Sequence, residues 1–523
     1  MTKLSVIVRF KNEATYLDAV LHAVREQRCG FPVEIVAIDN SSTDDSLEIA
    51  ARYADVVLNA TEYRPGAALN RAVEVCSGDA LVVLSAHALP ANRCWLDNLT
   101  ASLLIPRTLG AYGAQLYPFT SRFLDKRDLD IFSDLRPRQE VSDSDFWNAN
   151  STFLRSSWEI ERFDETVFEL EDHHWTKKIL PRGEYSVHFE PSALVYHYGH
   201  EARNDRTFLP PSSLSDEERI ATAVGVLLSA DASWPAVMSA GLTLSSLSHV
   251  CGITEAVPAL GRHLLEHADF DVRWRMAGAL GRIRTPLSAK YLIHALRDPS
   301  FYARDEAAWA LARLGDLGVA ELLPALDALP AEARPFAALA LGLSGNYDAG
   351  RRAVELLRGS LAVGNHASVC DALYFLGEIA SVPTAHELAA VVVKSLQVNN
   401  DEVVRAAAWC WGMLVAHNAG ARDLDRRGVL ELARQYPLET IRFEAIVSLG
   451  KAIVARRTPA LVHEVTRSLA EDSSGRVRYG AMQTLRWMAG NGICCHADAA
   501  AHDADSDFGV LFERSLLLKD WKS

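Results

Sequence analysis

The chain has 523 residues, more than one hydrophobic core usually spans, so we expect at least two domains. It is 49% apolar and 23% charged, as in water-soluble proteins, and its net charge of −14 argues against nucleic acid as a partner. The eight cysteines lack the paired spacing of a disulfide framework. The first residues lead directly into a strand, and no apolar run is long enough to cross a bilayer. We therefore expect a cytoplasmic protein with no signal peptide and no transmembrane segment.

The N-terminal part alternates between strand and helix patterns. Apolar, β-branched runs predict four strands, at residues 4–8, 33–38, 56–58 and 80–84. A helical apolar face predicts a first helix after Asn12, which we expect as its N-cap; the face comprises Leu17, Val20, Leu21 and Val24. Caps at residues 41–45 introduce a second helix, and residues 67–75 form a third. The alternation predicts a doubly wound, parallel α/β sheet.

Polar residues follow the second and fourth strands, at the edge where open α/β sheets bind ligands. Asp39 ends the second strand. Its carboxylate can accept a hydrogen bond from a ring N–H of uracil, thymine or guanine, or it can simply cap the next helix. His87 is the only strong metal ligand in the turn after the fourth strand. Neither a dinucleotide-binding glycine motif nor a P-loop is present.

Short motifs follow one another in a fixed order through about residues 1–205. They are Val6-Ile7-Val8-Arg9-Phe10-Lys11-Asn12-Glu13, Glu34-Ile35-Val36-Ala37-Ile38-Asp39-Asn40-Ser41-Ser42-Thr43-Asp44, Gly66-Ala67-Ala68-Leu69-Asn70, Ser85-Ala86-His87-Ala88, Tyr112-Gly113-Ala114-Gln115, Asn148-Ala149-Asn150, Glu171-Asp172-His173-His174-Trp175 and Tyr196-His197. In this order the set resembles family 2 glycosyltransferases, which have the GT-A fold, a Rossmann-like mixed sheet.

The resemblance implies transfer of a sugar from a nucleotide-diphosphate donor to an acceptor hydroxyl, with inversion at the anomeric carbon. The implied donor-binding residues are Arg9, Asn12, Glu13, Asp39, Asn70, Ser85 and His87. Most of the family has Asp-x-Asp in the turn where this chain has Ser85 and His87, as in a subfamily with Ser-Ala-His-Ala. Imidazole favours transition metals, so His87 and His197 would hold Mn²⁺ rather than Mg²⁺, or bind metal weakly. The alternative for His87 is a hydrogen-bonded turn histidine.

Glu171 and Asp172 begin an apparent helix. Acidic residues there also suit the helix dipole, so by themselves they indicate nothing catalytic. The resemblance implies that Asp172 is the catalytic base and that Glu171 orients an acceptor hydroxyl or its neighbour. Trp175 would stack on a sugar or belong to the core. Asn148 and Asn150 would contact the donor sugar or the acceptor, after a loop-rich flap at residues 119–147.

After a proline-rich break the strand patterns stop and helical repeats begin. We assign residues 1–208 to the transferase domain, 209–220 to a linker and 221–523 to a solenoid that resembles HEAT repeats. A recurring Arg, often near an Asp, is best explained by Asp–Arg ladders between adjacent repeats. We expect the helix at residues 508–518 to cap the solenoid.

Three interpretations compete. In the first, an active glycosyltransferase transfers a hexose or deoxyhexose such as rhamnose from a UDP-, dTDP- or GDP-sugar, and its solenoid recruits a peptide, protein or glycan acceptor, an enzyme partner or a second copy of the chain. In the second, the transferase fold is degenerate and serves as a scaffold, which the Ser85 substitution favours. In the third, a lyase-like or chaperone-like binding protein is defined by its repeats, which leaves residues 1–205 unexplained.

Overall fold

The computed structural model describes residues 2–60, 64–118, 136–142, 144, 146–198, 214–363, 365–421, 424–493 and 504–522. The chain divides into two compact units. Unit 1 consists of Met1–Asn204 together with His496–Ser523, and unit 2 of Asp205–Cys495. No helix among the described residues is both long enough and apolar enough to span a membrane.

Unit 1 is built on one mixed sheet. Its strands are β1 (Leu4–Phe10), β2 (Val33–Asp39), β3 (Val56–Asn59), β4 (Ala80–Ser85), β5 (Ala88–Pro90), β6 (Thr108–Leu116), β7 (Arg138–Glu140), β8 (Asn150–Leu154) and β9 (Ser186–His197). The N-terminal helices of the unit are α1 (Ala14–Arg25), α2 (Ser46–Tyr53), α3 (Pro65–Val75), α4 (Trp95–Thr100), α5 (Arg155–Ile160) and α6 (Glu171–Ile179), with short 3₁₀ turns at Ala101–Leu104 and Leu180–Arg182.

The strand order is β3-β2-β1-β4-β8-β6-β9-β5, and β7 pairs with β9. The first four strands in this order are parallel, as predicted. The parallel order that the alternation of strands and helices predicts ends at β8, which runs antiparallel to both β4 and β6. The sheet is mixed, as the resemblance implies. A core of apolar side chains from β1, β2, β4, β6, β8 and β9 packs against α3 and α6.

Unit 2 is helical throughout its described residues. Its helices are α7 (Asp216–Leu228), α8 (Trp234–Ser246), α9 (Val257–Glu266), α10 (Phe270–Ile283), α11 (Pro286–Ala295), α12 (Phe301–Arg313), α13 (Asp316–Leu322), α14 (Arg334–Leu343), α15 (Tyr347–Val363), α16 (His366–Glu378), α17 (Ala389–Ser395), α18 (Asp401–His417), α19 (Arg427–Gln435), α20 (Glu439–Arg456), α21 (Val462–Glu471) and α22 (Gly475–Gly490). Short 3₁₀ turns lie at Ile253–Ala256, Leu323–Ala328, Ala331–Ala333, Pro383–Leu388, Ala419–Ala421 and Pro459–Leu461. Helix α7 begins inside the stretch predicted as a linker, because Ser215 and Glu218 form a capping box there. Residues 209–213 of that linker lie outside the described residues.

The predicted Asp–Arg ladder is confirmed in the repeats. The guanidinium of Arg273 donates from Nε and Nη2 to the carboxylate of Asp298, at 2.7 and 3.0 Å, and from Nη1 to the carbonyls of its own turn. Arg442 and Asp472 repeat this geometry at 2.7 and 2.9 Å. Each carboxylate also accepts the backbone N–H two residues further on. These bonds, buried at Arg273 and half-buried at Arg442, join consecutive repeats, which indicates a structural role for both arginines.

The last helix, α23 (Phe508–Lys522), belongs to unit 1. The backbone N–H of Phe508 donates to the carbonyl of Ala91, and Tyr196 donates its hydroxyl proton to Asp507 at 2.6 Å. Both partners lie in or beside the strand pair β5–β9. The prediction that this helix caps the repeats is therefore wrong, because its anchoring bonds are to the mixed sheet.

Candidate active site

The carboxyl ends of the parallel strands bring three predicted site residues to one edge of the sheet. In the pairing register, Arg9 lies opposite Ser85 on β4, and Phe10 lies opposite Asp39 on β2. Asp39 is buried, and its Oδ1 accepts the backbone N–H of Ser42 at 2.9 Å. The residue at the N-cap position of α2 is Asp45 rather than Asp39. The alternative in which Asp39 caps this helix is therefore wrong.

The loops after β1 and β2 are joined by side-chain bonds. Asn12 was predicted to cap α1, but the residue at the cap position is Glu13. The Asn12 Oδ1 instead accepts the N–H of Thr43 at 2.7 Å, and its own N–H donates to Ser42 Oγ. Asn12 and Ser41 both adopt left-handed backbone conformations with φ of 55°. Asn adopts the left-handed region of backbone conformation at a lower cost than most residues. The side-chain bonds hold the two loops in this conformation beside Asp39.

A second strained residue, Leu170, directly precedes Glu171 and Asp172, which we call the acidic pair. Leu170 occupies the N-cap position of α6 with φ 56° and ψ 35°, a conformation that costs a bulky residue about 1–3 kcal/mol. Glu171 and Asp172 follow in the first turn, and both are buried. Strain of this kind persists only where neighbouring contacts impose it, and it is concentrated at functional sites.

Arg9, Asn148 and the acidic pair form one network. Arg9 Nη1 donates to Glu171 Oε1 at 2.8 Å, which connects the end of β1 to the start of α6. The backbone N–H of Asn148 donates to Asp172 Oδ2 at 2.7 Å, and its side-chain amide donates to Glu171 Oε1 at 3.3 Å. The other oxygen of Asp172 accepts the backbone N–H of His173. The structure thus brings together the predicted base, its acidic neighbour, one predicted donor-binding residue and one predicted sugar-binding residue.

Burial raises the pKa of the Asp172 carboxyl to about 6, and the negative charge of Glu171 adds to this shift. His173 and the two backbone N–H bonds oppose it more weakly. A carboxyl with a pKa near 6 is ionised at neutral pH and remains a far better proton acceptor than a solvent-exposed aspartate. This is the property required of a general base.

The two candidate metal ligands are also brought together. The imidazole centroids of His87 and His197 lie 4.8 Å apart, and Tyr117 packs against His197 at 4.9 Å. His87 Nδ1 lies 2.9 Å from Glu13 Oε1. A carboxylate on the far nitrogen is the usual partner of a metal-binding imidazole, and it equally suits a hydrogen-bonded turn histidine.

Two imidazoles suit Mn²⁺ better than Mg²⁺. Within the described part of the chain, no group of three or more His, Cys, Asp or Glu side chains could hold a metal ion. His87 and His197 would therefore fit an ion that takes its remaining ligands from elsewhere, such as a diphosphate.

Three predicted site residues have amide or indole groups engaged in holding the fold. Asn70 donates to the carbonyl of Phe163 and to Glu165, and accepts from Trp158. Close packing at this point also explains Gly66, since an added Cβ there would collide with the carbonyl of Asp164.

Asn150 bridges the bulge between β6 and β9. It donates to the carbonyls of Ala114 and Ala193 at 3.1 and 2.8 Å, and its Oδ1 accepts from Trp95. Trp175 is 1% exposed, packs among Phe146, Phe153 and Phe163, and donates its indole N–H to the carbonyl of Glu161. Of the two alternatives for Trp175, the core position is confirmed.

Sequence reasoning missed three features of the site. Leu170 gives no signal, because its conformation is set by tertiary contacts. The rings of Tyr16 and Tyr198 stack with their centroids 5.2 Å apart. The sequence patterns predict only a helix around Tyr16 and a strand end near Tyr198, and they do not indicate this contact. Most of the predicted flap, at residues 119–135, 143 and 145, lies outside the described residues.

Both parts of the chain match profiles of known families. Residues 5–160 match the family profile described as "Glycosyl transferase family 2", and residues 228–312 and 257–329 match HEAT repeats. A mannosyltransferase structure from Pyrobaculum calidifontis, in complex with GDP-Man and Mn²⁺, aligns with 19% identity over 62% of this chain and 87% of its own, with a TM-score of 0.34. Residues 1–349 of TarS from S. aureus align with 16% identity over 61% and 90%, with a TM-score of 0.32.

A search of curated proteins gives no match. The family profile ends at residue 160, so it covers Arg9, Asp39, Ser85 and His87 but not Glu171 and Asp172. The chain thus contains a segment that matches family 2 glycosyltransferases, followed by helices that match HEAT repeats.

Proposed function

We propose that unit 1 is an inverting glycosyltransferase that moves a sugar from a nucleotide-diphosphate donor to an acceptor hydroxyl, with Asp172 as the base. The observation that carries the proposal is the buried pair Glu171 and Asp172, which Arg9 links to the end of β1 in the segment that matches family 2 glycosyltransferases. A structural carboxylate at this depth would ordinarily be paired with a cation, since an unpaired buried charge destabilises a fold. Asp172 is instead held by backbone N–H groups beside a second acid.

The reaction is a single displacement. Asp172 removes the proton from the acceptor hydroxyl while that oxygen attacks the anomeric carbon. The bond between this carbon and the diphosphate oxygen breaks, and the diphosphate leaves with the electron pair. Attack on the face opposite the leaving group inverts the anomeric centre. Glu171, held by Arg9 and Asn148, orients the acceptor hydroxyl or its neighbour.

The donor side is formed by the ends of β1, β2 and β4. Asp39 receives the ring N–H of the base, which limits the donor to uracil, thymine or guanine nucleotides. Asn12 and Glu13 shape the loop beside it, and Ser85 lies at the end of β4. His87 and His197 would hold Mn²⁺ or Mg²⁺ together with the diphosphate, and such an ion neutralises charge on the leaving group when bound. Asn70 and Asn150 use their amides to hold the backbone around this region and do not contact the sugar.

The test is nucleotide-diphosphate release from a panel of UDP-, dTDP- and GDP-hexoses and deoxyhexoses with Mn²⁺, with glycans and peptides as candidate acceptors. Asp172→Asn keeps the size and shape of the side chain but loses the base and one of the two oxygens that accept backbone N–H groups, so release should fall by roughly 10²–10⁴-fold. Glu159→Gln, an exposed change on α5, is the matched control. Equal release by wild type and Asp172→Asn would contradict the proposal.

We assign the repeats of unit 2 to recruitment of a large acceptor, because a stacked helical array offers an extended surface that suits a peptide, protein or glycan. Hydrogen exchange of the full chain with each candidate acceptor tests this assignment. Protection within α7–α22 is the expected result. Protection confined to unit 1, with an acceptor that supports turnover, would contradict it.

A further inference from the structure

Helix α23 is anchored beside the two candidate imidazoles, on β9, which carries His197, and next to β5, which follows His87. Asp507 caps α23, is 4% exposed, and accepts the hydroxyl proton of Tyr196 at 2.6 Å. The N–H of Phe508 donates to the carbonyl of Ala91 at 2.8 Å. Tyr196 lies on β9, and Ala91 directly follows β5. Within the described residues, the first turn of α23 is thus bonded to both strands.

One turn further along α23, the ring of Phe512 packs with the rings of two tyrosines, Tyr16 and Tyr198. Its ring centroid lies 5.2 Å from that of Tyr198 and 6.1 Å from that of Tyr16. Tyr16 and Tyr198 themselves stack with an interplanar angle of 13°. Tyr198 directly follows His197, and its backbone N–H donates to the carbonyl of His87 at 2.9 Å. Phe512 therefore packs on the residue that links the two histidines.

The same ring also supports the carboxylate side of the histidine pair. Tyr16 lies three residues after Glu13, one helical turn away, and Glu13 contacts His87 Nδ1 at 2.9 Å. The pairing of β5 with β9 places Ala88 opposite His197. A change in how α23 packs would move the start of α1 and the end of β9 together, because Phe512 contacts an aromatic ring from each.

Given the proposed transferase function, we propose that α23 is a positioning element of the active site. Through Phe512 and Asp507 it holds His87, Glu13 and His197 in the arrangement that receives the donor diphosphate. The transferase unit is then assembled from both ends of the chain and is complete only when the segment that follows the repeats is in place. Partners at one remove from a ligand-binding imidazole commonly change affinity or activity by about 10–100-fold when they are removed.

The experiment compares full-length Phe512→Ala and Tyr196→Phe with wild type. Ser515→Ala, an exposed change on the same helix, is the control. We measure KM for the nucleotide sugar and for Mn²⁺ from diphosphate release, and hydrogen exchange of residues 86–91 and 194–198. Phe512→Ala should raise both KM values by about 10-fold or more, with a smaller change in kcat, and should speed exchange in both segments. Tyr196→Phe, which removes one hydrogen bond and keeps the ring, should do the same to a smaller extent.

Wild-type KM values for donor and Mn²⁺ in Phe512→Ala, or in a folded Tyr196→Phe if the first variant does not fold, would overturn the positioning role. If wild type itself releases no diphosphate from any donor, the proposed function fails and hydrogen exchange alone decides this inference. Faster exchange of residues 86–91 in Phe512→Ala then supports it, and unchanged exchange overturns it.

Discussion

Both units bury Arg–carboxylate pairs, but they balance the charges differently. In the repeats each carboxylate has a guanidinium of its own, with two N–H bonds between Arg273 and Asp298. In unit 1, Arg9 contacts Glu171, and the adjacent Asp172 is held by backbone N–H groups. The ladder stabilises because its charges are neutralised in pairs, whereas the acidic pair keeps a surplus of negative charge. Burial, with a further contribution from that surplus, raises the pKa of Asp172, as the proposed base requires, at a cost in stability.

The largest expected effect on stability comes from breaking the ladder. Asp298→Ala leaves Arg273 buried without its carboxylate. It should lower the free energy of unfolding of the repeats that contain α9–α12 by about 3–5 kcal/mol. Urea unfolding followed by hydrogen exchange in α9–α12 measures the loss. Asp327→Ala, an exposed change nearby, should cost little. A loss below about 1 kcal/mol for Asp298→Ala would show that the ladder is not what joins these repeats.

The acidic pair should respond in the opposite direction. The pKa of Asp172 is raised above its unfolded value, so the native carboxyl binds its proton more tightly and stability falls as pH rises through about 6. Asp172→Asn removes this penalty at every pH, but it also loses one backbone hydrogen bond, because the amide nitrogen cannot accept the second N–H. The free energy of unfolding of the variant relative to wild type should therefore be higher at pH 7.5 than at pH 5, by roughly 1–3 kcal/mol. Denaturant titrations at several pH values measure this difference, and a difference that does not change between pH 5 and 7.5 would contradict the account.

A smaller change is expected when the cation of the acidic pair is removed. Arg9→Met deprives Glu171 of its partner, and the added negative field should raise the apparent pKa of Asp172 above 6. A shift of about one unit corresponds to about 1.4 kcal/mol. It would appear as a displacement of the acidic limb of the pH–rate profile to higher pH. A displacement to lower pH would mean that Arg9 does not act through the pair.

The smallest effect is expected at an exposed pair. Arg352 and Glu355 lie 2.7 Å apart on α15, as close as the buried pairs, but both side chains are solvent-exposed. Water and salt screen such pairs, so Arg352→Ala should change the free energy of unfolding by less than about 0.5 kcal/mol. Thermal unfolding of this variant beside Asp298→Ala measures the contrast. Equal losses would mean that distance, and not burial, decides the strength of these pairs.

Much of the fold could be predicted because it depends on local sequence patterns. The four parallel strands and the helices between them follow from apolar periodicity, and the acids at residues 171–172 stand at a helix start as expected. The meeting of His87 and His197 also agrees with the resemblance. The resemblance implies a mixed sheet, but the local patterns do not predict that β8 is an antiparallel strand, because strand direction depends on connections whose composition carries no such signal.

The roles of individual polar residues were harder to predict, since their partners lie far away in sequence. Asn70 and Asn150 satisfy backbone groups about 40 or more residues distant, so their amides support the fold rather than facing a ligand. The packing of α23 against the mixed sheet of unit 1 could not be predicted for the same reason. Nothing within residues 508–522 shows that Asp507 meets Tyr196, because that contact joins residues more than three hundred positions apart.

The most direct test of the central claim is the pH dependence of donor consumption by the wild-type protein. If Asp172 is the base, the rate of diphosphate release under kcat/KM conditions should rise about tenfold per pH unit below about 6 and level off above it. Asp172→Asn should show no such limb in its residual rate. A wild-type rate that is constant between pH 5 and 8, or that falls as pH rises, would contradict the assignment of Asp172 as the base.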